Sequence, residues 1–324
     1  MPTDHVKHSD ISTYAENRVN LPSDKVKKYR DQVRNLREGL EDYIREHPDY
    51  DLVKMYHSGS VAKGTALSDL DDMDIAVYIK HTKKDCPEAE LLDWTKDRLK
   101  EVYPRLQPDQ FVIGPTSHCV TISFLGSGLD VDVSPVIYEG DSKYRGYLIN
   151  KKTGQRVMTS IPLHLEFIRI RKEKVPTHYA QIIRLAKWWV RKQRRANDDF
   201  RFKSFLVELI CAHLLEKGTD FTNYVTALHD FFLYIVTTSL KKRIYFTDNY
   251  QASELPKDKQ GVIEVFDPIN PVNNVTSRYT EQERTLIFEA AYDALDAIQE
   301  ARYATTKERA VARWQEVFGP TFNP

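Results

Sequence analysis

The chain has 324 residues, and its 47 Lys and Arg side chains balance 47 Asp and Glu side chains, so the formal net charge is zero. This balance disfavours a protein that coats nucleic acid through its overall charge, although it permits a local basic face. Cys86, Cys119 and Cys211 form no Cys-x-x-Cys pair, which excludes a disulfide scaffold and a four-cysteine zinc site. No signal-peptide pattern and no run of about 20 apolar residues are present, so we expect a cytoplasmic protein with no membrane contact.

The first half of the chain carries mainly strand signals. Residues 1–20 are polar and have no strong period, whereas apolar residues between 22 and 47 recur every three or four positions and predict an amphipathic helix. A turn of small residues at 57–60 precedes a strand at 72–79, and helical spacing returns at 91–99. Two further strands, 118–125 and 129–137, flank Gly126-Ser127-Gly128 and predict a hairpin.

The second half is predicted to be helical. The periodic segments are 178–195, 202–216, 221–237, 280–304 and 307–318. Strands followed by helices indicate an α+β core and a helical lobe, which we divide into residues 1–165 and 166–324.

Two strands carry pairs of carboxylates. Asp72 and Asp74 follow the turn that contains Gly59 and Ser60, and the strand period places both carboxylates on one face, opposite Ile75, Val77 and Ile79. Carboxylates so close repel one another unless a cation is present, and oxygen ligands suit Mg²⁺. The Gly59-Ser60 turn lets backbone N–H groups approach a phosphate.

The second pair is Asp130 and Asp132 in the apolar strand 129–135. Because an unpaired buried carboxylate is costly, a divalent metal site shared by both strands explains the pattern better than two solvated acidic turns.

Other site chemistries have little support. No His-x-x-x-His or His-Glu-x-x-His pair, P-loop or Gly-x-Gly-x-x-Gly pattern occurs.

Gly-Ser, then Asp-x-Asp, then a hydrophobic-Asp-hydrophobic strand resembles the polymerase-β-like nucleotidyltransferases. More closely, the chain resembles the bacterial cGAS/DncV-like nucleotidyltransferases of CBASS anti-phage defence, especially clade C, and the related oligoadenylate synthases. Four further segments carry this resemblance: 131–135 (Val-Asp-Val-Ser-Pro), 183–189 (Ile-Arg-Leu-Ala-Lys-Trp-Trp), 203–209 (Lys-Ser-Phe-Leu-Val-Glu-Leu) and 267–275 (Asp-Pro-Ile-Asn-Pro-Val-Asn-Asn-Val).

The resemblance implies a polymerase-β-like nucleotidyltransferase core with a mixed β-sheet, completed by a helical lobe like that of oligoadenylate synthases. It also implies that Asp72, Asp74 and Asp132 hold two Mg²⁺ ions, for which Mn²⁺ can substitute, and that Asp132 accepts the proton of the attacking hydroxyl. Asp130 lacks the spacing to Pro135 that marks Asp132, so we interpret it as supporting or solvated.

The resemblance also assigns nucleotide-binding roles. Gly59 and Ser60 would contact the donor phosphates, Lys187 the triphosphate, and Ser204 would lie beside the nucleotide. Without the resemblance, Lys187 would be a solvated helix lysine and Ser204 an ordinary helix N-cap. The segment 267–275 would bind nucleotide or form a rigid loop held by its Pro and Asn residues.

Residues 169–195 contain ten basic residues and one acidic residue, interleaved with Tyr179, Trp188 and Trp189. This composition is compatible with a duplex-DNA surface, and equally with an amphipathic helix that has a solvated basic face.

We therefore expect a Mg²⁺-dependent nucleotidyltransferase that joins NTPs, mainly ATP, into a cyclic di- or trinucleotide second messenger with release of pyrophosphate. The resemblance to clade C also implies a HORMA-domain regulator. Two alternatives stay open: a linear oligoadenylate or RNA-terminal nucleotidyltransferase, and a non-catalytic regulator that binds nucleotide or nucleic acid. The presence of all three aspartates argues against the regulator.

Overall fold

The computed structural model describes residues 5–47, 50–70, 72–81, 87–114 and 118–324. It divides into a sheet unit, Leu21–Glu166, and a helical unit that joins the N-terminal segment up to Asn20 to Phe167–Pro324. The predicted boundary between 165 and 166 is one residue from the boundary found, but the assignment of residues 1–20 to the first domain differs from this division. The physical reason is apolar burial: Ile11, Tyr14 and Val19 are buried in the helical unit.

The sheet unit contains three α-helices and one mixed sheet among its described residues. The helices are α2 (Ser23–Glu46), α3 (Gly59–Lys63) and α4 (Leu91–Val102). The strands are β1 (Tyr50–Ser58), β2 (Asp72–His81), β3 (Phe111–Val112), β4 (Val120–Phe124), β5 (Leu129–Tyr138), β6 (Gly146–Ile149) and β7 (Arg156–Thr159).

The strand order is β1-β2-β5-β4-β3, and β6 pairs with both β5 and β7. Only the central β2–β5 pair is parallel among these pairs of described strands, and the others are antiparallel. The mixed sheet and the predicted hairpin are therefore confirmed.

The two faces of β2 have different environments. Met73, Ile75, Val77 and Ile79 enter the main core, where they join apolar residues of α2 and α4. On the opposite face, Asp72 and Asp74 come first, and Ala76 and Tyr78 then enter a smaller cluster with Val136 of β5. Period-two alternation thus buries one face of the strand and leaves two carboxylates on the other.

The helical unit begins with α1 (His8–Tyr14) and a π-helix (Ala15–Val19). Helix α5 (Ile161–Lys174) contains the boundary between the two units, and the other helices are α6 (His178–Ala196), α7 (Ser204–Glu216), α8 (Tyr224–Thr238), α9 (Glu281–Tyr303) and α10 (Lys307–Phe318). The five helices predicted for this half are confirmed to within three residues at each end. No helix in the described part of the chain is both long enough and apolar enough to cross a membrane.

Candidate functional site

Four carboxylates lie at the start of the parallel β2–β5 pair. The register pairs Asp72 with Asp130 and Asp74 with Asp132, so all four side chains belong to the same face of the sheet. Neighbouring strands are about 4.8 Å apart, which makes Asp74 and Asp132 adjacent residues across the pair. Asp74 and Asp132 are partly buried, whereas Asp72 and Asp130 are exposed.

Thr121 of β4 holds the side chain of Asp132. It lies opposite Asp132 in the antiparallel β4–β5 register, and its hydroxyl donates to Asp132 Oδ1 at 2.5 Å. Thr121 was not among the predicted site residues. The predicted hairpin nevertheless implied this contact, because a hairpin that pairs Phe124 with Leu129 also brings Thr121 opposite Asp132. The hydroxyl restricts one oxygen of the carboxylate and so limits its orientation.

Gly59 lies directly against Asp74. Ser58, the last residue of β1, pairs with Asp74, and Gly59 begins α3 with a φ of +65°. A Cβ atom at Gly59 would lie 1.6 Å from Asp74 Oδ2, a distance that no side chain tolerates. Glycine is therefore required at this position for two reasons: the positive φ of the backbone, and the lack of space for a Cβ atom beside the Asp74 carboxylate. Ser60 is the next residue of the same short helix.

The three predicted metal ligands fit a hard cation by their chemistry, because all of their donor atoms are carboxylate oxygens. Their common sheet face and adjacent register agree with such a site. Among the described residues, no group of three His, Cys, Asp or Glu side chains is arranged to hold a metal ion. In this conformation the Asp132 carboxylate is engaged by Thr121.

His57 precedes the Ser58-Gly59-Ser60 turn and is partly buried. Burial lowers the pKa of His57, and the positive charges of Arg37 and Arg30 lower it further. Its Nδ1 atom is buried and has no hydrogen-bond partner among the residues that the structure describes. The imidazole is therefore neutral at pH 7, and it adds no positive charge next to the turn predicted to bind phosphate.

Lys187 lies in the helical unit and is buried against α7. Its ammonium donates to Glu208 Oε1 at 2.5 Å, and both side chains are almost inaccessible to solvent. The interpretation of Lys187 as a solvated lysine is thus wrong. Glu208 was missed, although an acidic residue within the apolar segment 205–215 is itself a signal of a paired buried charge. Burial, followed by the charge of Glu208, raises the pKa of the nearby Cys211 thiol.

Ser204 is exposed and is the first residue of α7, whose N-cap is Lys203. The expectation that Ser204 is the N-cap is therefore wrong by one residue. The Lys203 backbone N–H donates to the hydroxyl of Tyr279 at 2.8 Å, which fixes this end of the helix. Ser204 thus lies at the helix start with its side chain accessible.

The segment 267–275 uses its polar side chains internally. Asp267 accepts from the backbone N–H of Ile269 at 2.9 Å and from the side-chain amide of Asn273 at 3.2 Å. Asn274 accepts from the backbone N–H of Val265 and donates to the carbonyl of Ile263. These bonds favour the rigid-loop interpretation over nucleotide binding.

The basic residues between 169 and 195 do not form one continuous surface. Arg171 is buried, bonds to Glu216 and Asp248, and lies over the ring of Phe167. Lys187 is buried with Glu208, and Trp189 belongs to the core. The structure therefore removes two of the ten cations from any nucleic-acid surface.

Each unit holds a different part of the predicted site. The sheet unit contains Asp72, Asp74, Asp132, Gly59 and Ser60, and the strand register together with the Gly59 turn brings these residues to one end of the β2–β5 pair. The helical unit contains Lys187 on α6 and Ser204 on α7.

Two family models match the chain. The model described as 2'-5'-oligoadenylate synthetase 1, domain 2, C-terminus, matches residues 133–317, and the nucleotidyltransferase domain matches residues 36–188. Among curated proteins, the cyclic AMP-AMP-AMP synthase of Escherichia coli strain MS 115-1 is 48% identical over 99% of both chains. A CBASS oligonucleotide cyclase, CdnC, of Escherichia coli strain KTE188 is 32% identical over 97% of both chains.

Solved structures agree with these matches. E. coli MS115-1 CdnC with ATP is 48% identical, with a TM-score of 0.88, and the alignment covers 99% of this chain and all of that chain. CdnC in its complex with HORMA-deltaN gives the same identity and TM-score, with 99% of both chains covered. The expected fold class and the resemblance to CBASS synthases are confirmed. The chain belongs to the CBASS oligonucleotide cyclases, nucleotidyltransferases that make cyclic oligonucleotide second messengers.

Proposed function

We propose that this chain joins ATP molecules into a cyclic adenine-containing oligonucleotide, a di- or trinucleotide, with release of pyrophosphate at each step. The observation that carries the proposal is the register of Asp74 with Asp132, together with the close approach of Gly59 to Asp74. The 48% identical relative is a cyclic AMP-AMP-AMP synthase, and this supports adenine as the base.

Enzymes of this family generally use divalent metal ions, and we propose that Asp72, Asp74 and Asp132 would hold two Mg²⁺ ions, with Mn²⁺ as a substitute. When bound, the ions lower the pKa of the attacking ribose hydroxyl and neutralise charge on the triphosphate and the departing pyrophosphate. Support comes from the all-oxygen donor set on one face of the sheet.

The other roles belong to side chains and backbone. Asp132 accepts the proton of the ribose hydroxyl, and the bond from Thr121 leaves its second oxygen, Oδ2, for that task. Ser60 donates its hydroxyl and backbone N–H to phosphate oxygens. Lys187 contacts phosphate only after its ammonium leaves Glu208. Ser204 lies beside the nucleotide, at the exposed start of α7.

The product identifies the reaction. Purified protein is incubated with Mg²⁺ and all four α-labelled NTPs, treated with phosphatase, and analysed by mass spectrometry. We expect a phosphatase-resistant adenine-containing ring, whereas linear products would instead support an oligoadenylate or RNA-terminal nucleotidyltransferase. A non-catalytic regulator would yield no product and would keep its function after Asp72→Asn/Asp74→Asn.

A matched set of variants tests the aspartates. We expect Asp72→Asn/Asp74→Asn and Asp132→Asn to lose activity by about 100-fold or more, because the amide neither accepts the proton nor attracts a cation. Asp130→Asn is the control, since it removes one charge from the same sheet face. It should retain most of the activity. Equal losses in Asp130→Asn and Asp132→Asn would contradict the assignment of roles.

We also propose that a HORMA-domain protein regulates the chain in the cytoplasm, where thiols such as those of Cys119 and Cys211 stay reduced. The supporting observation is that the CdnC whose structure is in complex with HORMA-deltaN aligns along 99% of this chain. Size-exclusion chromatography of the two purified proteins should give a stable complex, and addition of the regulator should raise product formation. Separate elution of the two proteins, with unchanged synthesis, would reject this partner.

We propose duplex DNA as a ligand of the basic face at 169–195 without Arg171 and Lys187, because these two cations are buried in ion pairs. Lys172 and Lys174 at the end of α5 provide the test positions. Binding through phosphates weakens steeply as salt rises. Filter binding at two salt concentrations should show weaker retention of a DNA duplex by Lys172→Glu/Lys174→Glu than by the parent. Equal retention would reject this surface.

A further inference from the structure

A cleft of about 480 Å³ lies within the helical unit, and none of its lining residues is one of the predicted site residues. Helix α6 contributes Trp188, Arg191, Lys192 and Arg195, the π-helix contributes Arg18, and the turn at 318–321 after α10 completes the lining. Its volume falls within the range of about 300–1,000 Å³ that is usual for sites that bind small molecules. The proposed reaction assigns no role to this cleft.

The cations of the cleft are concentrated on one helix face. Positions 188, 191, 192 and 195 follow the i, i+3, i+4, i+7 spacing, so their side chains form a single stripe along α6. Like charges at this spacing repel each other, and Arg18 adds a fourth positive charge from a separate element. A stripe of this kind is suited to a ligand with several negative charges.

Lys192, one of the four cations, bonds to helix α10. Lys192 donates to the backbone carbonyl of Glu316, while the Glu316 carboxylate accepts from Arg313 at 2.7 Å. Burial lowers the pKa of Lys192, and the charges of Glu316 and Asp293 oppose that effect. The Glu316 carboxylate is thus shared with a cation outside the cleft.

A planar ring lies beside the cations. The Trp188 indole N–H donates to the Tyr14 hydroxyl at 2.9 Å, and that hydroxyl lies 3.1 Å from Thr321 Oγ1. These bonds fix the edge of the indole. Phe318 also lines the cleft. The cleft therefore combines aromatic surface with four cations, which is the chemistry that recognises an unpaired base and its phosphates.

We propose that this cleft binds a nucleoside polyphosphate at a second site, separate from the catalytic carboxylates. The phosphates contact Arg191, Lys192 and Arg195, and the base packs on Trp188. A DNA duplex is a poorer fit, because its bases are paired and stacked and leave nothing for the indole to cover. The volume of the cleft also favours a small ligand over an extended phosphate backbone.

ATP and inorganic tripolyphosphate are the probes. Each is titrated by calorimetry into the full chain carrying Asp72→Asn/Asp74→Asn, in chelator, so that metal-dependent binding at the carboxylates is suppressed. Addition of Arg191→Ala/Arg195→Ala should weaken ATP binding at least tenfold. The matched control, Lys217→Ala/Lys241→Ala, removes two exposed cations of the same unit outside the cleft and should leave ATP affinity unchanged.

The indole is tested separately. Trp188→Leu should remove the preference for ATP over tripolyphosphate and spare tripolyphosphate binding. If Arg191→Ala/Arg195→Ala fails to fold, as judged by circular dichroism, the exposed Arg18→Ala takes its place and should also weaken ATP binding.

Three results would overturn the proposal. Equal ATP affinity in the cleft variant and its parent would mean that no such site exists. Equal affinity for ATP and tripolyphosphate in the parent would indicate a site for inorganic anions. Displacement of ATP by a DNA duplex, with no effect of Trp188→Leu, would indicate a nucleic-acid surface. Every readout is a binding constant, so failure of this proposal is distinct from failure of the proposed synthesis.

Discussion

Gly59 shows how one residue without a side chain determines the geometry of the carboxylates. Its φ of +65° turns the chain from β1 into α3, and the missing Cβ leaves room for Asp74 Oδ2. Either requirement alone favours glycine, and the second connects the turn proposed to bind phosphate with the proposed catalytic side chain of Asp74. A substitution here therefore affects both stability and the position of Asp74.

Gly59→Ala should cost about 1–2 kcal/mol of stability through its backbone conformation and should abolish most activity, because the new methyl group displaces Asp74. Gly154→Ala is the matched control, since Gly154 has a φ of +66° with open space around its Cβ position. It should lose similar stability and keep its activity. Product formation and thermal melts of both variants check this, and full activity in Gly59→Ala would contradict the role of the contact.

At the scale of elements, the packing of α6 on α7 depends on a buried ion pair. Lys187 and Glu208 are each almost inaccessible, so neither charge has water to compensate for a lost partner. Removal of one partner from a buried pair destabilises proteins by about 3–5 kcal/mol, whereas removal of both is often tolerated. This difference separates the structural role of Lys187 from its proposed role in phosphate binding.

Lys187→Met should lower the free energy of unfolding by about 3–5 kcal/mol, because it removes the ammonium whose charge balances the buried Glu208 carboxylate. Lys187→Met/Glu208→Gln should recover at least half of that loss, as measured by urea denaturation. If Lys187 also binds phosphate, Lys187→Met/Glu208→Gln is stable but inactive, because it lacks the ammonium. Glu208→Gln keeps the ammonium and retains activity. An active double variant would show that Lys187 is structural only.

At the scale of the whole molecule, three partly buried histidines link stability to pH. Burial lowers the pKa of His8, His57 and His213, with further lowering by neighbouring positive charges. The folded chain therefore binds these protons less readily than the unfolded chain, whose histidines titrate near 6.5. Their contribution is fully present above that pH and is lost as the pH falls towards the lowered values.

We expect the free energy of unfolding to be smaller at pH 5.5 than at pH 7.5, since each proton bound on unfolding lowers it by about 1.4 kcal/mol per pH unit. Urea denaturation at constant ionic strength measures the difference. His57→Gln should reduce it, because the amide does not titrate. Equal stability of the parent at both pH values would contradict the linkage.

Much of the fold could be predicted from the sequence, because the signals involved are local. Helices α6 to α10 follow from apolar periodicity, and the β4–β5 hairpin follows from alternation around Gly126-Ser127-Gly128. The N-terminal segment was missed because α1 has only seven residues, too few to show a helical period, and its apolar residues are buried by distant parts of the chain. The location of Asp72 and Asp74 on one face required only the period of a strand.

The amino-acid sequence alone establishes which groups are available for the chemistry: three aspartates in strands, the Gly59-Ser60 turn, and the family to which these patterns belong. Which of these groups meet depends on the packing of the folded chain. The register that makes Asp74 adjacent to Asp132, the hydroxyl of Thr121 on Asp132, and the burial of Lys187 with Glu208 all depend on contacts between residues far apart in the chain. Charge and hydrophobicity are properties of single residues, whereas partners and burial depend on packing.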